Sequence, residues 1–360
     1  MLKTQLGTTF LTALCAASLG ALAAPTLAAE TVPITIVAGH PPVALWVRME
    51  QEVLIPTINA ELAKTGNYEI AWTEAFSGTL AKVGEELEAV ETGLADMAVS
   101  WSLFDAAKLP LQNVSLFAPF LDAPIECSTD VTEDLQTQIP EMGAQWEKYN
   151  QVYLGGGIYA DTFQLWSKKP VETLEDLKGL KMAGPGPATN WINGTGAVGV
   201  SANLNLYYND IKSGVYDAAA VHYTGAIPNR LYEVAPYVTE VHFANAYGGG
   251  ITFNTSRWEK LPEEVRMAIN TAVDAYQAAY LAETKVLLEK AHATAVENGA
   301  TIITLPDDVR KAWADALPNA AMGWAQKLDE AGLPGSEVLA GYMDGMKACG
   351  AKPLRDWSQN

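Results

Sequence analysis

The sequence predicts an α/β protein of two lobes with one long helix crossing both, and three observations predict it. Short apolar segments bounded by turn residues alternate with helical periodicities. Two glycine triplets, Gly155–Gly157 and Gly248–Gly250, follow one strand pattern and precede another. A single periodic segment, from Pro262 to about Asn298, is longer than one small domain needs.

Residues 1–29 carry Lys3, an apolar run from Phe10 to Ala24 and small residues up to Ala28 and Ala29. That is the pattern of a cleavable secretory signal peptide, the run being too short and too weakly flanked to span a membrane. Cys15 follows Leu14, where lipid-modified cysteines want a small residue, so a lipid anchor is the weaker alternative. Strands are expected at "TVPITIVAG", "YEIAWTEAF", "DMAVSWSLF", "NQVYLGGGIY", "FQLWSKKPV" and "GGGITFN", and helices at Leu45–Ala63 and Leu80–Thr92. Such alternation predicts mainly parallel sheets.

The glycine triplets have two readings. They relieve crowding where strands pack, or they form a hinge that the chain crosses twice. The hinge would place residues 30–157 and 248–284 in one lobe and 158–247 and 285–360 in the other. In the long segment, Pro262 suits a first helical turn, Glu263 and Glu264 suit its positive end, and Val265, Ile269, Ala272, Tyr276 and Ala279 make one apolar stripe. At 1.5 Å per residue it extends roughly 55 Å, enough to brace two lobes.

The formal charge is −19, which argues against nucleic acid or an anionic membrane surface as partner, since both need basic patches. Beyond the signal peptide only Cys127 and Cys349 remain, a pair that leaves one long-range disulfide open and makes no metal site. There is no G-x-G-x-x-G after a strand, no P-loop, no H-E-x-x-H and no G-x-S-x-G. Catalysis and a cofactor are therefore not expected.

Trp46, Trp101, Phe163, Tyr208, Tyr223 and Tyr247 lie near expected strand ends or first helical turns, where open α/β sheets bind ligands. For any one of them core packing is the simpler reading; several converging on a cleft would make a pocket.

The ordered motifs "FSGTL", "EAVETGLADMAVS", "LFAPFL", "KKPVETLEDLKGLKM", "LYYNDIKSGVYDA", "RLYEVAPYVTEVHF" and "FNTSRWEKLPEEVRMAI" run from about residue 75 to about residue 280. In spacing and content they resemble the DctP-type solute-binding proteins of TRAP transporters. The resemblance implies a two-lobed periplasmic binding protein fold that closes on a small-molecule solute, a long helix crossing both lobes, and a TRAP membrane permease as partner. A secreted hydrolase using the same cleft is the rival from another class.

One departure from that family bears on the ligand. Where it typically reads "LKGLKIRV", with an arginine forking onto the ligand carboxylate, this chain reads "LKGLKMAG", with Ala183 at the arginine position. No arginine occurs between Arg48 and Arg230. Asp161 is nearest the place where some members carry a second arginine. The expected ligand-binding set is His40, Trp46, Trp101, Asp161, Phe163, Tyr208, His222, Tyr223 and Tyr247. Aromatic faces beside one carboxylate favour a cation, so an amine, betaine-like or alcohol-bearing solute is expected. The alternative is an organic acid held by Lys181 or by backbone donors near Gly184 and Gly186.

Overall fold

The computed structural model describes residues 28–359, so nearly all of the signal peptide read at 1–29 lies outside the described residues. The strands are β1 (Glu30–Val37), β2 (Tyr68–Ala75), β3 (Met97–Trp101), β4 (Leu121–Asp122), β5 (Gln151–Ala160), β6 (Phe163–Ser167), β7 (Lys181–Gly184) and β8 (Val198–Ser201), followed by β9 (Ala218–His222), β10 (Tyr237–Glu240), β11 (Ala246–Asn254), β12 (Thr301–Thr304) and β13 (Lys352–Pro353). They form one sheet in the order β2-β1-β3-β11-β5 and a second in the order β12-β10-β6-β9-β7-β8, with β4 and β13 as a separate ribbon. The six segments expected as strands are β1, β2, β3, β5, β6 and β11.

Both sheets are mixed, whereas the alternation of strands and helices predicts mainly parallel ones. β1 is parallel to β2 and β3, but β11 is antiparallel to β3 and β5, and β6 is antiparallel to β9 and β10. The chain leaves the first sheet along β5 and returns along β11, so the returning strand runs against the outgoing one. The crossing is short: Phe163 N–H donates to Ala244 O at 2.9 Å and Phe243 N–H to Phe163 O at 3.1 Å.

Packing demands explain the second glycine triplet. A Cβ on Gly248 would stand 2.1 Å from the Trp101 ring, and one on Gly250 would stand 2.4 Å from the Tyr153 ring. Here glycine makes room for aromatic rings to lie against the strand.

Two helices depart from expectation. The segment 45–63 is interrupted by a π-helical stretch at Glu50–Leu54, just before Pro56. Proline supplies no N–H and its ring crowds the carbonyl four residues back, which the wider turn relieves. The segment 80–92 is helical only over Glu86–Glu91, because the Glu86 carboxylate turns inward to accept the N–H groups of Gly39 at 3.0 Å and Gly84 at 2.6 Å.

The long helix spans Glu263–Glu297, 35 residues. Val265, Ile269, Ala272 and Tyr276 are buried as the stripe requires, and Ala279 is partly buried. The helix packs on the helix Ile55–Ala63 and β5 through its first part, and on the helix Tyr223–Ala226 and β12 through its later part. It thus contacts elements of both sheets. Tyr276 and Tyr280 fasten it, donating to Trp46 O at 3.2 Å and Tyr159 O at 2.9 Å. Cys127, on the helix Ile125–Gln138, is bonded to Cys349, which follows the helix Gly335–Ala348, with a Cα separation of 5.8 Å. Among the described residues no helix is long and apolar enough to cross a membrane.

Candidate functional site

Where the two sheets face each other lies a cavity of about 40 Å³. His40, Trp46, Trp101, Leu103 and Phe104 line it from the first side, and Phe163, Pro185, Leu204, Tyr207, Val221 and His222 from the second. Larger hollows lie elsewhere, each walled by one side alone: grooves of about 910 and 690 Å³ on the side of the first sheet, and one of about 310 Å³ on the side of the second, between Lys168 and Asp217.

Strand ends build this cavity. His40 follows β1, Trp101 ends β3, Phe163 begins β6 and His222 ends β9, while Trp46 sits in the first turn of the helix Leu45–Met49. His40 and Trp46 meet edge to face at 4.9 Å and Trp46 and Trp101 at 4.8 Å, while His40 and Trp101 are tilted at 5.8 Å. Phe163 and His222 are 5.1 Å apart. Two buried polar atoms in this wall, His40 Nδ1 and Trp46 Nε1, have no hydrogen-bond partner among the described residues. Burial first, and then the neighbouring His222, hold the His40 imidazole down to about 3, so that ring is neutral at neutral pH.

Asp161 stands behind this wall. Its oxygens accept from Tyr223 N–H at 2.9 Å, Thr224 N–H at 3.3 Å and the Thr224 hydroxyl, and Oδ1 lies 3.1 Å from His222 Nδ1. That corrects the expectation of a carboxylate facing the ligand, because its lone pairs are occupied from behind. His222 Nδ1 also stands at the start of the following helix, 3.1 Å from Gly225 N and 3.0 Å from the Thr224 hydroxyl, so the ring is held by its Nδ1 side and its Nε2 edge is turned away from Asp161.

Of the expected set, His40, Trp46, Trp101, Phe163 and His222 come together on the cavity wall. Three tyrosines do not. The Tyr208 hydroxyl points away to Glu233 at 2.7 Å, and its neighbour Tyr207 takes the inward position, a matter of helix phase. The Tyr223 ring packs on Trp166 and its hydroxyl donates to Glu240 at 3.2 Å. Tyr247 is buried between Tyr159 and Tyr153, donating to the Tyr153 hydroxyl at 3.2 Å. The sequence reading missed Leu103, Phe104, Ala160, Pro185, Leu204, Tyr207 and Val221; only Pro185, in its Gly/Pro turn, carried a local signal.

At the arginine position, Ala183 is fully buried in β7 between Val200 and Ala219, and Lys181 is exposed. The turn beyond it is an interlobe contact: a Cβ on Gly186, whose φ is +47°, would stand 2.2 Å from Leu103 O. Among the described residues no lysine or arginine lines the cavity.

The model of the DctP family, "Bacterial extracellular solute-binding protein, family 7", matches residues 59–327. Among solved structures, an extracytoplasmic solute receptor of Bordetella pertussis binding pyroglutamic acid superposes with a TM-score of 0.75 at 20% identity, covering 86% of this chain and 99% of that one. A periplasmic solute-binding protein of Sulfitobacter sp. NAS-14.1 with bound β-D-galacturonate gives 0.73 at 17% identity, covering 86% and 99%. A TRAP solute-binding protein of Rhodoferax ferrireducens T118 with copurified benzoate gives 0.77 at 16% identity, covering 88% and 98%. At these identities the likeness speaks for the two-lobed fold.

Proposed function

The chain belongs to family 7 of the bacterial extracellular solute-binding proteins, the DctP-type receptors of TRAP transporters, which bind solutes and are not enzymes; from that premise we propose that its solute is a small organic acid bound in the interlobe cavity. The observation that carries this is the Trp46 indole N–H, buried at the cavity without an acceptor. An indole nitrogen only donates, and leaving it unpaired costs about 1–3 kcal/mol, which a ligand acceptor removes and an ammonium cannot. The ring spacing argues the same way. Faces bracketing a cation stand roughly 8–12 Å apart if each is within reach of it; the rings of His40, Trp46 and Trp101 touch one another. The similar structures holding pyroglutamate, galacturonate and benzoate support an acid too.

In this proposal the mature protein is periplasmic, released from a signal peptide at 1–29, and delivers its solute to the TRAP permease. Residues 30–157 with 248–284, and 158–247 with 285–360, move as two lobes about the glycine triplets. A ligand contacting both lobes favours the closed form by its extra contacts there, and the permease reads that form. A thermal-shift panel tests the ligand class. Pyroglutamate, benzoate, galacturonate and succinate oppose ethanolamine and choline, and at least one acid should raise the melting temperature. Trp46→Phe should weaken that acid about 10–100-fold, the unpaired-donor cost expressed as affinity. A response to amines alone, or an acid whose affinity Trp46→Phe leaves unchanged, refutes the reading.

A further inference from the structure

The cavity is small, and its lining holds few polar groups and no lysine or arginine among the described residues. The groups able to meet a ligand's oxygen are clustered: His40, Trp46 and Trp101 touch one another, and His222 lies 6.4 Å from Trp46. The remaining side chains, among them Leu103, Phe104, Pro185 and Leu204, offer only carbon. Tyr207 is no exception, since its hydroxyl donates to Ala202 O at 3.0 Å. The turn that follows Ala183, instead of presenting a cation, presses Gly186 against Leu103 of the opposite lobe.

We propose that this receptor selects compact monoacids, whose single carboxylate meets the His40–Trp46–His222 end while an apolar body fills the rest, and that it rejects the matching dicarboxylates. The inference rests on the acid reading above and specifies it. A second carboxylate would be desolvated in the same cavity after the first has taken its few neutral donors, with no lysine or arginine in the lining to meet it, a penalty the first carboxylate does not incur. Selectivity here comes from what the lining lacks, and the missing guanidinium is part of it.

Calorimetric titration of the full mature protein at pH 7.5 with butyrate against succinate, and with benzoate against phthalate, tests this. In at least one pair the monoacid should bind about 100-fold tighter than its diacid, the scale of discrimination when a buried charge lacks partners. Leu204→Arg, which adds a cation to the lining, should narrow that ratio to about tenfold or less by improving diacid binding. A wild-type diacid that binds as tightly as its monoacid overturns the proposal while leaving the acid reading intact. Binding of amines with none of the acids removes both. The wild-type comparison stands alone if Leu204→Arg fails to fold, which its circular dichroism would show.

Discussion

Glu86 offers a quantitative test of how the first lobe is held together. Its carboxyl is almost wholly inaccessible and accepts backbone N–H groups, its own together with those of Gly39 at 3.0 Å and Gly84 at 2.6 Å, Gly39 adjoining His40. Burial, partly offset by those backbone donors, raises its pKa from 4.5 to about 7. The folded protein therefore holds this proton more tightly than the unfolded chain. The associated stability is intact below pH 4.5 and is lost as the pH rises through 7. Between pH 5 and pH 8 that linkage is worth about 2.5 kcal/mol, worked from the two pKa values at 1.36 kcal/mol per unit. Glu86→Gln removes the titration and adds a pH-independent offset. Urea unfolding of both proteins at pH 5 and pH 8, followed by tryptophan fluorescence, gives the double difference in which other titrating groups largely cancel. Glu50 does not cancel fully, because the Glu86 charge raises it further, but this adds in the same direction. The wild type should lose about 2–3 kcal/mol more than the variant across that interval. Parallel losses, within about 0.5 kcal/mol, would refute the reasoning and mean that the backbone donors fully compensate burial.

Glu50, fully buried in the π-helical stretch with neither oxygen making a complete hydrogen bond, is held well above the usual carboxylate range by burial and then by Glu86, the Val99 backbone opposing them. Glu50→Met should therefore raise stability at pH 8 by about 1–3 kcal/mol and less at pH 5, where the wild-type carboxyl carries its proton; a lower melting temperature at both pH values would contradict this. The disulfide closes a loop of 222 residues. Replacing Cys127 and Cys349 by serine should cost up to about 5 kcal/mol by loop entropy, and unchanged denaturant unfolding in the double variant would show that the bond does not constrain the unfolded chain.

Local chemistry determined much of this protein directly. The six apolar segments are strands because β-branched and aromatic residues between turn formers have few other ways to bury themselves. The long helix was visible because 35 residues of helical periodicity start from a proline and two glutamates. The family motifs, the scarcity of arginines and Ala183 at a position expected to hold one were likewise written in the chain. His40, Trp46, Trp101, Phe163 and His222 could be picked out because polar or aromatic residues at strand ends face a cleft.

Only the tertiary structure decided what those residues can do. Strand direction in the two sheets depends on where the chain crosses between them, which no local pattern records. The inward position went to Tyr207 and not Tyr208 because helix phase is set by packing against the second sheet. Asp161 lost its place as a ligand group because Tyr223, Thr224 and His222, its sequence-distant partners, fold around its oxygens from behind. Gly248 is occupied by a ring from β3 and Gly186 by a carbonyl from the other lobe, contacts between residues far apart along the chain. Charge, propensity and periodicity act over a few residues, so the sequence alone carried the elements and the candidates; which donors remain unpaired depends on every neighbour that folding brings within 3 Å.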